Sequence, residues 1–270
     1  MWLFSKKKTN FDVPLAYRLI NLSRIAYYDK NQVTKELDNM AMDLDLFFNI
    51  KETDTQGFIA NDDKDIFVVF RGTESLRDAL IDVNTLMNRY PESGKSFFLF
   101  KPKVHAGFLK AYLSVKQLLL NRVGEMVYSD GKNRVYVTGH SLGGALALLA
   151  TLDIIEILKI QDVYMMNFGG PKVGNKWYVR RYNKKVKNSF RVVNDEDVVP
   201  ILPIGGYKHV KHLVFINNQG EVLIDPKSEE MIVENLDNIL SLLTGEAIKD
   251  HFSRYYASVI KQLLNKSYEL

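Results

Sequence analysis

Between Arg134 and Lys159 the chain reads as a strand, a sharp turn and an apolar helix, and no other stretch constrains the fold as strongly. Val135, Tyr136 and Val137 favour a buried strand. The pentad Gly139-His140-Ser141-Leu142-Gly143 forms the turn, and Gly144-Ala145-Leu146-Ala147 opens a run that stays mostly apolar to Leu158. Glycine is needed two residues either side of Ser141, because a Cβ there would collide as strand and helix close on each other. The serine between them is expected on a strained turn with its hydroxyl presented, the arrangement of a nucleophile elbow. A glycine-rich turn whose serine merely caps the helix is the competing reading.

The flanking sequence suits such a unit. Val13 to Tyr28 carries Leu15, Leu19, Leu22, Ala26 and Tyr27 at helical spacing, and 31–48 suggests a second, less regular helix; both are expected to cover a sheet. Gly57 to Ala60 and Asp65 to Phe70 predict a hairpin around Asn61-Asp62-Asp63-Lys64, with the wholly apolar Ile66 to Phe70 as a central strand. Leu76, Ala79, Leu80, Val83, Leu86, Met87 and Tyr90 fall on one helical face, ended by Pro91 to Gly94. A long helix is expected from about Val104 to Val127, strands over 163–168 and 190–193, a hairpin over 213–224, and helices over 228–243 and 252–264. Strands alternating with helices predict an α/β fold with a mostly parallel central sheet and its site along the carboxyl ends of the strands. No linker interrupts the 270 residues, so a single domain over 1–270 is expected.

A serine hydroxyl is a poor nucleophile without a base, and the base needs an acid to hold its tautomer. Of five histidines, His105 and His140 precede the position a base requires, leaving His209, His212 and His251. His209 and His212 flank a strand start and read as structural or pocket-lining. His251 follows Asp250, a good N-cap, at the head of the last helix. For the acid, Asp195, Glu196 and Asp197 share one loop after a strand, and spacing does not separate them. The histidines lack metal-ligand spacing, and neither metal nor organic cofactor is expected. The charge balance, 36 basic against 32 acidic residues, argues against nucleic acid as a partner, and no obligate protein partner is inferred. Apolar Trp2-Leu3-Phe4 ahead of Lys6-Lys7-Lys8 reverses the order of a secretory signal, so a cytoplasmic protein is expected, with signal-independent secretion left open.

Together these residues resemble the class 3 lipase family. The resemblance rests on Phe70-Arg71-Gly72-Thr73, Val104-His105-Ala106-Gly107-Phe108, the pentad with Gly144-Ala145, Phe168-Gly169-Gly170-Pro171-Lys172-Val173-Gly174-Asn175, Val193 to Pro200, and Asp250-His251, in the family's order. It implies an α/β-hydrolase fold and hydrolysis of lipid esters at a lipid–water interface. Carried over by position, it makes Ser141 the nucleophile, Asp197 the acid and His251 the base, with the Thr73 and Leu142 amides as the oxyanion hole. The segment after Thr73, about 74–94, corresponds to the family's helical lid, with Leu76, Leu80, Val83 and Met87 toward the acyl site. Phospholipase A1 or acyltransferase activity would use the same triad, and an inactive lipid-binding protein is the remaining alternative. Where relatives often carry a lid tryptophan this chain has Ala79 and Leu80, and it has no cysteine.

Overall fold

The computed structural model describes residues 11–73, 86–91, 101–132, 134–195, 197–226 and 251–268. Its strands are β1 (Asp43–Ile50), β2 (Thr55–Asn61), β3 (Asp65–Phe70), β4 (Met87–Arg89), β5 (Lys103–His105), β6 (Arg134–His140), β7 (Val163–Phe168), β8 (Gly174–Asn175), β9 (Asn188–Asn194), β10 (Tyr207–Lys208), β11 (Leu213–Ile216) and β12 (Val222–Ile224). Its helices are α1 (Val13–Ile25), α2 (Lys30–Asp38), α3 (Ala106–Tyr128), α4 (Leu142–Ile157), α5 (Lys176–Lys185) and α6 (Ser253–Tyr268).

Eight strands form the main sheet in the order β1-β2-β3-β6-β7-β9-β11-β12. The central five, β3 to β11, run parallel, and antiparallel partners close both edges. Alternate residues of the central strands feed two cores. Ile66, Val68, Phe70, Val135, Val137 and Met165 pack toward α3 and α4, while Phe67, Val69, Tyr136, Met166 and Phe168 pack toward α1 and α6. Both faces of these strands are covered, which is why Ile66 to Phe70 is apolar without alternation.

Helix α4 runs through the core, with every residue from Gly143 to Ile155 buried. Its polar residues are therefore paired. Thr151 Oγ1 donates to the Ala147 carbonyl at 2.7 Å. Asp153 accepts from Tyr112 at 2.9 Å, from Tyr90, and from Lys116 Nζ at 3.0 Å. Burial raises the Asp153 pKa, opposed by those three donors. Glu156 accepts from Arg181 Nε at 3.0 Å and Nη2 at 2.5 Å. Among the described residues no helix is long and apolar enough to cross a membrane.

Two expectations fail here. Residues 31–48 are not one helix: α2 ends at Asp38, the backbone turns at Ala41 (φ 53°), and Asp43–Ile50 is strand β1, paired antiparallel with β2. The segment packs apolar residues on both faces, Leu46 and Phe48 toward one core and Leu44 and Phe47 toward the other across a bulge between Leu44 and Leu46, which a strand paired with β2 allows. The apolar stripe to Tyr90 is not one helix either. Met87–Arg89 is strand β4, registered Met87 to His105 and Arg89 to Lys103 in a second sheet of order β10-β8-β5-β4. Met87 is accordingly corrected from a helical lid position to a strand position, and Leu86 beside it is exposed. The rest of the expected lid, including Leu76, Leu80 and Val83, lies outside the described residues, as does the helix expected over 228–243.

Candidate active site

Ser141 lies between the end of β6 and the first turn of α4, at φ 58° and ψ −127°, a left-handed conformation that an L-residue adopts only under constraint. The constraint comes from both glycines, though not in the same way. A Cβ on Gly139 would stand 2.4 Å from the Gly143 backbone, the strand–helix closure expected from the sequence. A Cβ on Gly143 would instead stand 2.3 Å from the Phe70 carbonyl oxygen, so that glycine admits the neighbouring strand β3. The serine caps nothing: its side chain makes no capping hydrogen bond, which removes the competing reading of the turn. Its backbone N–H donates to the Phe168 carbonyl at 2.9 Å, tying the turn to β7.

The end of β3 reaches the same point. Gly72 lies against Ser141, since a Cβ there would stand 3.2 Å from Ser141 Cβ. Thr73 follows it, half-buried, and Leu142 opens α4, partly buried against the core on that side. The oxyanion candidates thus follow two adjacent parallel strands, β3 and β6, each at its carboxyl end.

Asp197, in the loop after β9, meets His251 just ahead of α6. His251 Nδ1 lies 2.9 Å from both Asp197 carboxylate oxygens, and the aspartate side chain is wholly buried. Of the three acidic residues that spacing left open, Asp197 makes this contact. Asp195 Oδ2 accepts from the Asn218 backbone at 2.9 Å and pins the β11–β12 hairpin, while Glu196 lies outside the described residues. His212 pairs with Asp225 at 2.5 Å on the surface, and His209 Nε2 donates to the Pro200 carbonyl at 2.6 Å, in keeping with structural or pocket-lining roles. Two atoms remain: Ser141 Oγ and His251 Nε2 are both buried, and neither has a hydrogen-bond partner among the described residues.

Three residues for which the sequence marks no positioning role, Tyr256, His140 and Tyr27, hold this geometry. Tyr256, on α6, donates to Asp197 Oδ2 at 2.5 Å and accepts from the Asn194 N–H at 3.1 Å. With the Val199 N–H donating to Oδ1 at 2.9 Å, both carboxylate oxygens are fixed. His140, next to the nucleophile, packs its ring 4.6 Å from that of His251 and donates from Nε2 to the His251 carbonyl. Its Nδ1 accepts from Tyr27 Oη at 2.8 Å. Those partners assign the neutral tautomer, and burial, followed by the nearby His251, holds the His140 pKa well below the usual histidine value. Tyr27 reads in the sequence as one more apolar residue of the first helix, and nothing in its spacing marks the hydroxyl. The expected cap Asp250 lies outside the described residues, and α6 begins at Ser253, two residues past His251.

Tyr256→Phe is therefore expected to lower kcat about tenfold and the melting temperature by a few degrees with KM little changed, since a hydrogen bond to a charged carboxylate contributes about 1.5–3 kcal/mol. Steady-state kinetics beside a thermal melt checks this. An unchanged kcat would reduce Tyr256 to a packing residue.

Known proteins of similar sequence and fold are lipases and phospholipases. The family model for lipase (class 3) matches residues 67–206. A lipase of Rhizomucor miehei is 30% identical over 209 residues, 75% of this chain and 55% of that protein. Secreted mono- and diacylglycerol lipase 2 of Gibberella zeae is 32% identical over 178 residues, 57% of this chain and 44% of its own length. Phospholipase A1-Igamma1, chloroplastic, of Arabidopsis thaliana is 30% identical over 226 residues, 67% of this chain and 44% of its own. A solved triacylglycerol lipase whose catalytic centre is formed by a serine protease triad superposes with TM-score 0.72 at 26% identity, covering 84% of this chain and 92% of that one. The chain spans about half the length of the curated relatives it matches. The relative from Gibberella zeae is a secreted protein, and this overturns the cytoplasmic location expected from the first residues.

Proposed function

The chain belongs to the class 3 lipase family, and on that premise we propose that it hydrolyses carboxylic esters of lipids through an acyl-enzyme. Ser141 Oγ attacks the ester carbonyl, and His251 Nε2 takes its proton and passes it to the departing alcohol. Asp197 orients the ring through Nδ1 and stabilises the imidazolium. The amides of Thr73 and Leu142 receive the oxyanion, where losing one such donor typically costs about 3 kcal/mol. Water then repeats the sequence on the acyl-enzyme. The observation that carries this reading is the pair of buried, unpartnered atoms, Ser141 Oγ and His251 Nε2, beside a fully hydrogen-bonded Asp197. A buried polar atom without a partner is costly, and a hydroxyl and a ring nitrogen left unbonded, to each other as well, fit a proton relay that closes only with substrate.

Leu76, Leu80 and Val83 belong to the same proposal as the apolar face of a lid, on the strength of their spacing directly after Thr73. One experiment tests substrate and lid together: initial rates on a partly soluble ester through its solubility limit, then on emulsified triacylglycerol and on phosphatidylcholine. A lipase with a lid shows a steep rise once droplets form, and prefers triacylglycerol. Preference for phosphatidylcholine would favour the phospholipase A1 reading, which the similarity to the Arabidopsis enzyme supports. Absence of turnover on every ester would end the proposal.

A further inference from the structure

Asp197 also lines a cavity of about 200 Å³ that the ester chemistry does not use. Arg191, Lys172 and His209 line it together with Asp195, and the wall is otherwise largely apolar, with Val193, Leu213 and Phe215. Arg191 is the unusual member. It sits in the middle of β9, buried, and Nε donates to the Val210 carbonyl at 2.8 Å, but its two terminal amino groups have no partner among the described residues. Burial pushes its pKa down to about 10. Lys172 donates to the Ile201 carbonyl, leaving protons free, and burial, then Lys208 and Arg191, pushes its pKa down as well. The two carboxylates in the wall do not neutralise them. Asp197 is bonded to His251, Tyr256 and Val199, Asp195 is bonded to Asn218, and neither forms an ion pair with Arg191 or Lys172 among the described residues.

We propose that this cavity is a carboxylate-binding site, taking the head of a short- or medium-chain fatty acid on Arg191 and Lys172 and its alkyl chain along Val193, Leu213 and Phe215. Asp225 acts on Arg191 from a distance without forming an ion pair among the described residues, and for a buried guanidinium so placed a planar two-oxygen anion is the partner its free edge fits best. An inorganic phosphate would bring up to two charges and four oxygens against a mostly apolar wall, with too few donors to replace its water. A carboxylate brings one charge and carries the apolar tail that the wall accommodates.

The strand register supplies a sharp control. Leu213 is directly paired with Arg191 between the parallel strands β11 and β9, so the two side chains leave the same face of the sheet. Leu213→Glu would place a tethered carboxylate beside the guanidinium and fill the site from within. Leu213→Met keeps the wall apolar.

The proposal rests on the hydrolase reading only for where the fatty acid would come from, as the acid product of the same reaction. Its test needs no turnover. Thermal melts and calorimetric titration of the intact chain are run with butyrate, octanoate, inorganic phosphate and chloride. Octanoate is expected to bind better than butyrate, and at ten times its Kd to raise Tm by about 3 °C. Arg191→Gln and Leu213→Glu are both expected to lose that shift, with Leu213→Glu melting higher than Leu213→Met in the absence of ligand. Binding that survives in both Arg191→Gln and Leu213→Glu would place octanoate elsewhere and overturn the proposal. So would no binding to the wild-type chain, or equal shifts with phosphate and chloride. Each of those results leaves ester hydrolysis at Ser141 untouched.

Discussion

Ser141→Ala is expected to give a folded protein whose kcat on any ester has fallen by at least about 10³-fold. The size follows from how much of the reaction passes through one atom. Without Oγ no acyl-enzyme forms, and only the oxyanion amides and bound substrate remain to assist water, which leaves a residual acceleration of about 10³–10⁴ over the uncatalysed reaction. Stability should not suffer. The hydroxyl is buried without a hydrogen bond among the described residues, so removing it breaks no interaction there and deletes an unsatisfied polar atom. The Cβ that stays is the only side-chain atom the strained turn must house. A melting temperature equal to or above wild type, combined with the loss of kcat, separates this outcome from simple unfolding. A Ser141→Ala protein with substantial activity would remove the elbow from the chemistry.

His251→Ala is expected to cost about as much as Ser141→Ala, and the double variant little more than either, because nucleophile and base act as a unit. Asp197→Asn should fall in the range of about 10³–10⁴-fold with the fold kept, since an amide can offer its NH₂ to Nδ1 and favour the wrong tautomer. His209→Ala and His212→Ala should retain most activity, as their rings bond to Pro200 and Asp225 rather than to the serine side of the site. Kinetics on a soluble p-nitrophenyl ester checks the whole set. Additive losses in the His251–Ser141 pair, or a dead His212→Ala, would contradict the assignment.

These assignments were unevenly legible in the sequence, for physical reasons that differ from element to element. The strand β3, the strand β6 and the elbow helix could be read because burial on both sides forces long apolar runs, and because the turn between them admits only glycine at two positions. The order of blocks from Phe70 to His251 carried the family resemblance. Strand β1 was misread because its leucines and phenylalanines fit a loose helical spacing as well as a strand packed on both faces, and pairing with β2 decided between them. Strands β4, β8 and β10 have two or three residues each, too short to leave a periodic signal. Met87 was drawn into a helical stripe for the same reason.

Within the site, the choice of Asp197 over Asp195 is a matter of where a loop aims two neighbouring carboxylates, and no pattern encodes it locally. The positioning contacts are still less visible. Tyr27 meets His140 across 113 residues, and Tyr256 meets Asp197 across 59. Tyr27, just past the end of α1, and Tyr256, on α6, both read as apolar positions, so their hydroxyl functions emerge only when α1 and α6 pack on one face of the sheet. Arg191 is similar: it reads as a lone charge inside a strand, and the cavity wall it faces appears only when β11 brings Leu213 alongside.

The central claim is that Ser141 is the atom that takes the acyl group, and reaction with a p-nitrophenyl alkylphosphonate tests it most directly. The reagent should release one equivalent of p-nitrophenol per chain, abolish esterase activity in step with that release, and leave a single phosphonyl group on the peptide containing Ser141 by mass spectrometry. Prior incubation with a hydrolysable lipid ester should slow the reaction. An adduct on a different serine, or full activity in a chain whose Ser141 carries the phosphonyl group, would contradict the account.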